Sequence, residues 1–409
     1  MYTILNKRNY ILLAFFGILI ILGASSFLYQ TLNGMGVTGL REPVVWGLYV
    51  VNFTFFMGLG AGILMYLTAI SMQKGISEEF KFFSSVIAFI SLSLAGVFIL
   101  LDLGRIDRFY YIAIYPHPKS PLFWDFIVLN ILLAVSAVYS YLSFQKIAPF
   151  KFQLLNIPAL FIGRVFKKAN DLALRIGSFI TLFLIMALYF ITTKVFTDTV
   201  ARPEWHTPLL GIIFIISALL CGLASLALLK SYCVNTTGAE NNRLFSDLAR
   251  RLLLFLLLLD MIMILSNYGI GRRNLLIQES QSIFSILLFL SLIIGNVLPI
   301  FLMRVSRKNK IILNRIVPVL ILAGVLLKRA DIIISAYFRR WIPLAFKISY
   351  IPTFPEILIV LSVYSAAILA IMAIFCTFAR HRNNGGLSIP PEEPSASTRV
   401  GSIFMPGQN

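Results

Sequence analysis

The sequence is short of most of what a water-soluble enzyme uses. Only 13% of its 409 residues are charged, about half the usual fraction of roughly 25%. No polar block longer than about 30 residues interrupts the apolar composition, which leaves no room for a separate aqueous domain. A soluble globular enzyme is excluded. Cysteine and histidine are scarce as well, with three of each. Cys221, Cys233 and Cys376 lie within or at the ends of apolar runs and lack CxxC spacing, so neither a disulfide framework nor an iron–sulfur cluster is expected on this chain. His117, His206 and His381 fall in connections or at a helix end, whereas a bis-histidine haem needs two imidazoles buried between helices. No haem and no metal centre is expected.

What the chain has is hydrocarbon: 59% apolar residues and a mean hydropathy of +0.88. A bilayer core about 30 Å thick takes roughly 20 apolar residues of helix to cross, and ten stretches qualify. They run Tyr10 to Leu32, Trp46 to Ser71, Phe82 to Leu101, Leu122 to Phe144, Leu172 to Thr193, Leu209 to Val234, Leu252 to Ile270, Ile283 to Met303, Ile316 to Ala336 and Ile357 to Phe378. Pro121 after Ser120 and Pro208 after Thr207 suit a first helical position behind a hydroxyl cap, and Thr353 with Glu356 reads as a capping box. An all-α integral membrane fold follows. The first run also fits a signal peptide, with Lys7 and Arg8 before it and Gly23, Ala24 and Ser25 near its end, although Phe27 to Tyr29 extend it toward a full span.

With ten spans both termini share a side, and about two thirds of the lysines and arginines fall on that side, which predicts cytoplasmic termini in a bacterial inner membrane. The net charge of +18 is then mainly orientation signal and attraction to anionic lipid rather than a nucleic-acid footprint. The stretch from Lys146 to Asp171 mixes basic and apolar residues and is expected to lie along the membrane surface. The Pro-, Ser- and Gly-rich tail after Asn383 reads as disordered.

Charge at membrane depth is costly and by default marks a site or pathway. Asn52 opens helix two, and Asp102 ends helix three before Gly104, Arg105, Asp107 and Arg108. Trp124 and Asp125 open helix four, Lys328, Arg329 and Asp331 come late in helix nine, and Tyr350 and Glu356 precede or open helix ten. All fall in the half expected to be non-cytoplasmic. Each has a bland alternative: Asp125 complements a helix N-terminus, Glu356 closes a cap, and Arg329 and Asp331 pair or snorkel. Asp260, near the middle of helix seven, is a candidate proton carrier or a hydrogen-bonded neutral acid, with Asn267 on nearly the same face. Gly58 and Gly62, a GxxxG pair, serve close helix packing or leave a slot for a flat ring.

Five segments, WGLYVVNFTFFMGLGAG (46–62), LDLGRIDRF (101–109), SPLFWDFIVLN (120–130), GNVLPIF (295–301) and YIPTFPE (350–356), occur in an order that resembles the polysulfide reductase NrfD/PsrC-like membrane subunits. The likeness is to the ten-helix branch, with its sulfite-reduction-associated, hydrogenase-2-type and alternative complex III members. The resemblance implies two four-helix bundles, helices two to five and six to nine, flanked by helices one and ten. On that plan residues 1–44 hold the first helix, 45–193 and 194–336 the bundles, 337–379 an outer loop and the last helix, and 380–409 the tail. It also implies a quinone or quinol substrate, menaquinone or ubiquinone, near the outer face of the first bundle, and no cofactor of the chain's own. A ferredoxin-like iron–sulfur subunit would dock over that site, with a multihaem cytochrome c or molybdopterin subunit as a further partner.

By the same resemblance Asn52, Asp102, Arg105 and Asp125 match family positions near the quinone pocket or the proton route; from the residues themselves, Trp124, Gly58 and Gly62 are candidates to hold the ring, and Asp260, Arg329, Asp331 and Glu356 to pass protons. Some relatives carry a histidine in helix two, where this chain has Ala61 within GLGAG. Quinol oxidation needs polar partners for the ring oxygens and ionisable groups for two protons. The electrons must leave to another subunit. A secondary transporter and a passive anchor remain as alternatives.

Overall fold

The computed structural model describes residues 7–40, 44–71, 76–147, 171–199, 202, 205–232, 239–273, 282–306, 309, 311–337 and 350–383. Of the surface stretch expected from Lys146 to Asp171, residues 148–170 lie outside the described residues, as do Cys233 and the tail from 384. Within them the chain is helical, arranged as ten rods. The rods are α1 (Lys7–Asn33), α2 (Leu48–Ser71), α3 (Glu78–Asp102), α4 (Pro121–Ile147), α5 (Asp171–Thr197), α6 (Leu210–Tyr232), α7 (Ala239–Arg273), α8 (Ser282–Leu292 continued through Ile293–Val297 to Leu298–Val305), α9 (Ile312–Ile316 continued as Val317–Ile334) and α10 (Phe354–Asn383). Eight of them, all but α7 and α9, are long and apolar enough to cross a membrane. The chain is a multi-pass integral membrane protein. The two rods outside that set carry Asp260 and the Lys328, Arg329 and Asp331 group.

Helices α2 to α5 pack around one another as one four-helix bundle and α6 to α9 as a second, while α1 pairs with α10 along the flank, where α10 also touches α2 and α3. The bundles meet where α2 crosses α6 and α9. In lipid such a contact needs small residues, because dispersion between closely approaching backbones is the main attraction. At the α2–α6 crossing a Cβ on Gly62 would lie 2.0 Å from the Ala218 carbonyl oxygen, and Gly222 faces the Gly62 backbone in the same way. The packing reading of Gly62 holds. Gly295 and Gly324 do the same for α8 and α9, and Gly23 against Ser362 for α1 and α10.

Two rods contain a π turn, Ile293–Val297 in α8 and Ile312–Ile316 in α9, each followed two residues later by a proline, Pro299 or Pro318. Proline lacks an N–H and its ring collides with the carbonyl four residues back, and a widened turn relieves that collision while keeping the helix continuous. Hydropathy alone makes helix eight regular; its π turn is the difference, and Pro299 is the signal for it. Two of the three expected starts are present, since α4 begins at Pro121 and Thr353 N donates to Glu356 Oε2 at 2.8 Å; the third is not, because α6 begins at Leu210, two residues after Pro208, and the Thr207 hydroxyl is buried without a hydrogen-bond partner.

Candidate functional site

The end of the molecule away from the N-terminus is built from helix termini. α1 stops at Asn33, followed by Gly34 with φ +74° and a short 3-10 turn, Met35–Val37. α3 stops at Asp102, followed by Gly104 with φ +68° and the turn Ile106–Arg108. Both glycines occupy the left-handed region that side chains with a Cβ avoid, and each reverses the chain after a helix. Between the two reversals lies a cleft of about 660 Å³ lined by Phe27, Gln30, Met35, Leu101, Arg105 and Asp107 among others. That volume suits an organic ring with part of a tail. Arg105 and Asp107 stand exposed at its mouth.

One lining residue, Gln30, is hydrogen-bonded to Tyr49, which is fully buried and does not itself line the cleft. Gln30, 4% exposed, accepts from the Tyr49 hydroxyl at 2.6 Å through Oε1 and donates through Nε2 to the Leu101 carbonyl at 3.3 Å. The Asp102 carboxylate lies within electrostatic reach of Tyr49 and of Glu356, and its Oδ1 is buried without a hydrogen-bond partner. A buried acceptor left unpaired is costly and needs a reason. Sequence reasoning misses Gln30 and Tyr49, although Gln30 as the one amide inside the apolar run Tyr10 to Leu32 is the available cue.

The other residues expected at this site are dispersed. Asn52 is buried with both ends of its amide used, donating to Leu48 O at 2.7 Å and accepting from Tyr364 of α10 at 2.8 Å. Asp125 is buried within the first bundle, where Oδ1 accepts from Thr192 of α5 at 2.6 Å. Trp124 is exposed and donates to Pro118 O at 2.8 Å, holding the loop before α4. Gly58 faces Arg329 and Tyr189 rather than the cleft. Glu356 is fully buried and fully bonded: Oε2 accepts from Gly39 N at 3.0 Å and Thr353 N, and Oε1 from the Tyr350 hydroxyl at 3.1 Å. Tyr350 Oη in turn accepts from Leu48 N at 2.7 Å, capping α2. Burial, and then the Glu356 charge, push the Tyr350 phenol above its ordinary range.

A second polar centre occupies the second bundle. Lys328 of α9 and Asp260 of α7 form a buried ion pair, with side chains 4% and 1% exposed. The π turn of α8 presents Asn296, whose Nδ2 donates to Asp260 Oδ2 at 2.8 Å and to Leu257 O at 3.0 Å. The partner that a mid-helix carboxylate requires is therefore Lys328. Arg329 points elsewhere, as its position one residue on dictates. It is fully buried, stacks over the Phe214 ring at 4.0 Å from the centroid, and donates through Nη2 to Ser217 Oγ at 2.6 Å. Asp331 is buried on the same helix, and Asn267 Oδ1, buried without a hydrogen-bond partner, lies beyond Asp260 on α7.

Comparison with known proteins decides the family. The model of the family described as "Polysulphide reductase, NrfD" matches residues 36–343, most of the chain. The chain belongs to the NrfD family. Among its relatives is a putative membrane subunit of dimethyl sulfoxide reductase from Halobacterium salinarum, 30% identical over 213 residues, 51% of this chain and 48% of that protein. A selenate reductase subunit from Mesobacillus selenatarsenatis is 27% identical over 363 residues, 81% of this chain and 83% of the relative. An "Hdr-like menaquinol oxidoreductase integral membrane subunit" of Archaeoglobus fulgidus is 27% identical over 141 residues, 32% of this chain and 35% of the relative. The chain thus spans about half the length of the first of these and most of the second. As an NrfD-family membrane protein it places its cleft between two helix ends, where its ionisable and amide groups meet an opening.

Proposed function

We propose that this chain is the quinone-reactive membrane subunit of a respiratory oxidoreductase complex, and that the cleft between the ends of α1 and α3 takes the quinone ring. The observation that carries the reading is the buried, unpartnered Asp102 Oδ1, within electrostatic reach of Tyr49 and flanked in the chain by the lining residues Leu101 and Leu103 of an opening of ring size. Phe27, Met35, Leu101 and Ile106 supply apolar walls for the ring, and Arg105 and Asp107 supply a donor and an acceptor at the mouth. Asp102 is the proton acceptor for an oxidised quinol, a role that requires a carboxylate within reach of the reacting oxygen. The names of the relatives, which belong to dimethyl sulfoxide and selenate reductases and to a menaquinol oxidoreductase, support assembly with catalytic and iron–sulfur subunits.

On this reading the cleft lies at the outer, periplasmic face and both termini in the cytoplasm, as the distribution of basic residues favours. A ferredoxin-like iron–sulfur subunit sits over it and takes the electrons, with a multihaem cytochrome c or molybdopterin subunit beyond. The exposed aromatic run Phe109, Tyr110, Tyr111 and Tyr115, beside Arg105 and Arg108, suits either the membrane interface or that contact. Proton coupling belongs to the same proposal, with the buried Asp260–Lys328 pair as its support. The test is quinol oxidation by the purified complex. Asp102→Asn should lower turnover by about 10²-fold, the low end of what a positioned base contributes, with assembly unchanged. Unaltered turnover in that variant would remove the cleft from the mechanism.

A further inference from the structure

Arg329 sits at the seam between the two bundles, fully buried, and two of its three guanidinium nitrogens, Nε and Nη1, have no hydrogen-bond partner. Across the seam the Tyr189 hydroxyl of α5 is equally buried and equally unpartnered. Gly58 of α2 lies between them. At the point a Gly58 Cβ would take, the nearest atoms are Arg329 Nη2 at 3.5 Å and Tyr189 Oη at 3.9 Å, with nothing else inside 4 Å. Every other glycine on α2 is packed against a neighbour at 2.7 Å or closer. Gly58 is therefore not a helix-crossing contact: a Cβ there would meet, at ordinary contact distance, only the Tyr189 hydroxyl and Arg329 Nη2, the one guanidinium nitrogen that is bonded, to Ser217. An unmet guanidinium in a low-dielectric interior is expensive, and a gap with several polar partners is where a buried water is stable.

We propose that this seam is a hydrated passage joining the polar centres of the two bundles, with Gly58 keeping it open and Arg329 as its positive gatekeeper. On the first-bundle side Thr192, one turn on from Tyr189, bonds Asp125. On the second-bundle side the Cys221 thiol lies within electrostatic reach of Arg329, Lys328 and Asp260 together. Towards the helix ends the seam is stoppered by stacked aromatics. Trp46 and Trp205 stack at 5.1 Å, Phe196 packs edge-on to both, and Trp205 Nε1 donates to Ile332 O, one turn beyond Arg329. Water in the seam thus connects bundle to bundle rather than to that surface. A fixed cation at its centre repels hydronium, so protons cross only when Arg329 or a neighbouring carboxylate moves the local field.

The inference goes beyond the quinone reading, and its test needs no quinone turnover. Radiolytic hydroxyl-radical footprinting of the assembled complex in nanodiscs labels side chains touching internal water. Tyr189, and Met57, whose Sδ lies 3.6 Å from the Thr192 hydroxyl on the first-bundle side, should be labelled several-fold more than Tyr350 and Met303, which are comparably buried. Gly58→Val should return Tyr189 to the level of Tyr350 while exposed Tyr110 and Tyr111 keep their labelling. If that variant does not assemble, Gly58→Ala, whose Cβ makes ordinary contacts, should give a partial fall. Labelling of Tyr189 and Met57 no higher than the controls in the wild-type complex would overturn the proposal, as would labelling untouched by filling the gap. Labelling that follows chloride concentration would replace water with an anion and overturn it too.

Discussion

Replacing Lys328 with methionine keeps the side-chain volume and removes the charge, leaving the Asp260 carboxylate buried with only the Asn296 amide for company. Breaking a buried pair from one side costs about 3–5 kcal/mol, because the remaining charge is uncompensated, whereas replacing both partners by apolar or neutral groups of similar size is often close to neutral. The pair here is at the severe end, since its side chains are 4% and 1% exposed and the surroundings are helix interior. Lys328→Met should therefore destabilise the protein by about 3–5 kcal/mol, and Lys328→Met with Asp260→Asn should restore most of that loss. The amide left by the second change can still accept from Asn296. Steric-trapping or denaturant unfolding of the reconstituted protein, run as a double-mutant cycle, measures the coupling. A coupling below about 1 kcal/mol, the range of an exposed pair, would mean that the two groups do not meet as charges and would refute the account of the second bundle.

Two further outcomes follow from local geometry. Gly104→Val places a branched side chain at φ +68° and a Cβ 2.9 Å from Met35 Cγ; it should cost at least about 1–2 kcal/mol and depress quinol oxidation by narrowing the cleft, read as a raised KM. Tyr350→Phe deletes the hydroxyl that caps α2 and meets Glu356 and should cost about 1–3 kcal/mol at neutral pH. Its pH dependence has a fixed sign. The folded phenol titrates above its ordinary value of 10.0, so its contribution is complete below that value and is lost as pH rises past it, when the unfolded chain ionises first. The stability gap between wild type and Tyr350→Phe should be level to about pH 9 and shrink above about pH 10; a gap that widens there would contradict the assignment.

Much of the scaffold was legible because the bilayer imposes one length on every span. The apolar runs and the Thr353–Glu356 cap depend on residues near one another in sequence, whereas the close approach signalled by Gly62 is made to Ala218 on a distant helix. The candidate site was legible only in part. Asp102 and Arg105 remain beside the cleft, but Asn52 and Asp125, which hydropathy assigns to the same half of the membrane, have their hydrogen bonds taken by Tyr364 and Thr192. A shared depth does not imply a shared pocket, because azimuth around a bundle is set by packing.

By itself the sequence determined that this protein lives in lipid, which ends of its helices carry charge, and that its interior ions must find partners. It could do so because hydrocarbon thickness and the cost of an unmet charge act on any chain alike. Only the tertiary structure decided that Asp260 chooses Lys328 across 68 positions, that Gln30 meets Tyr49, and that Arg329 is left facing Tyr189 across the bundle seam. Those choices depend on how rods rotate and cross, which is fixed by backbone contacts such as Gly62 on Ala218 and by π turns that reorient a single side chain.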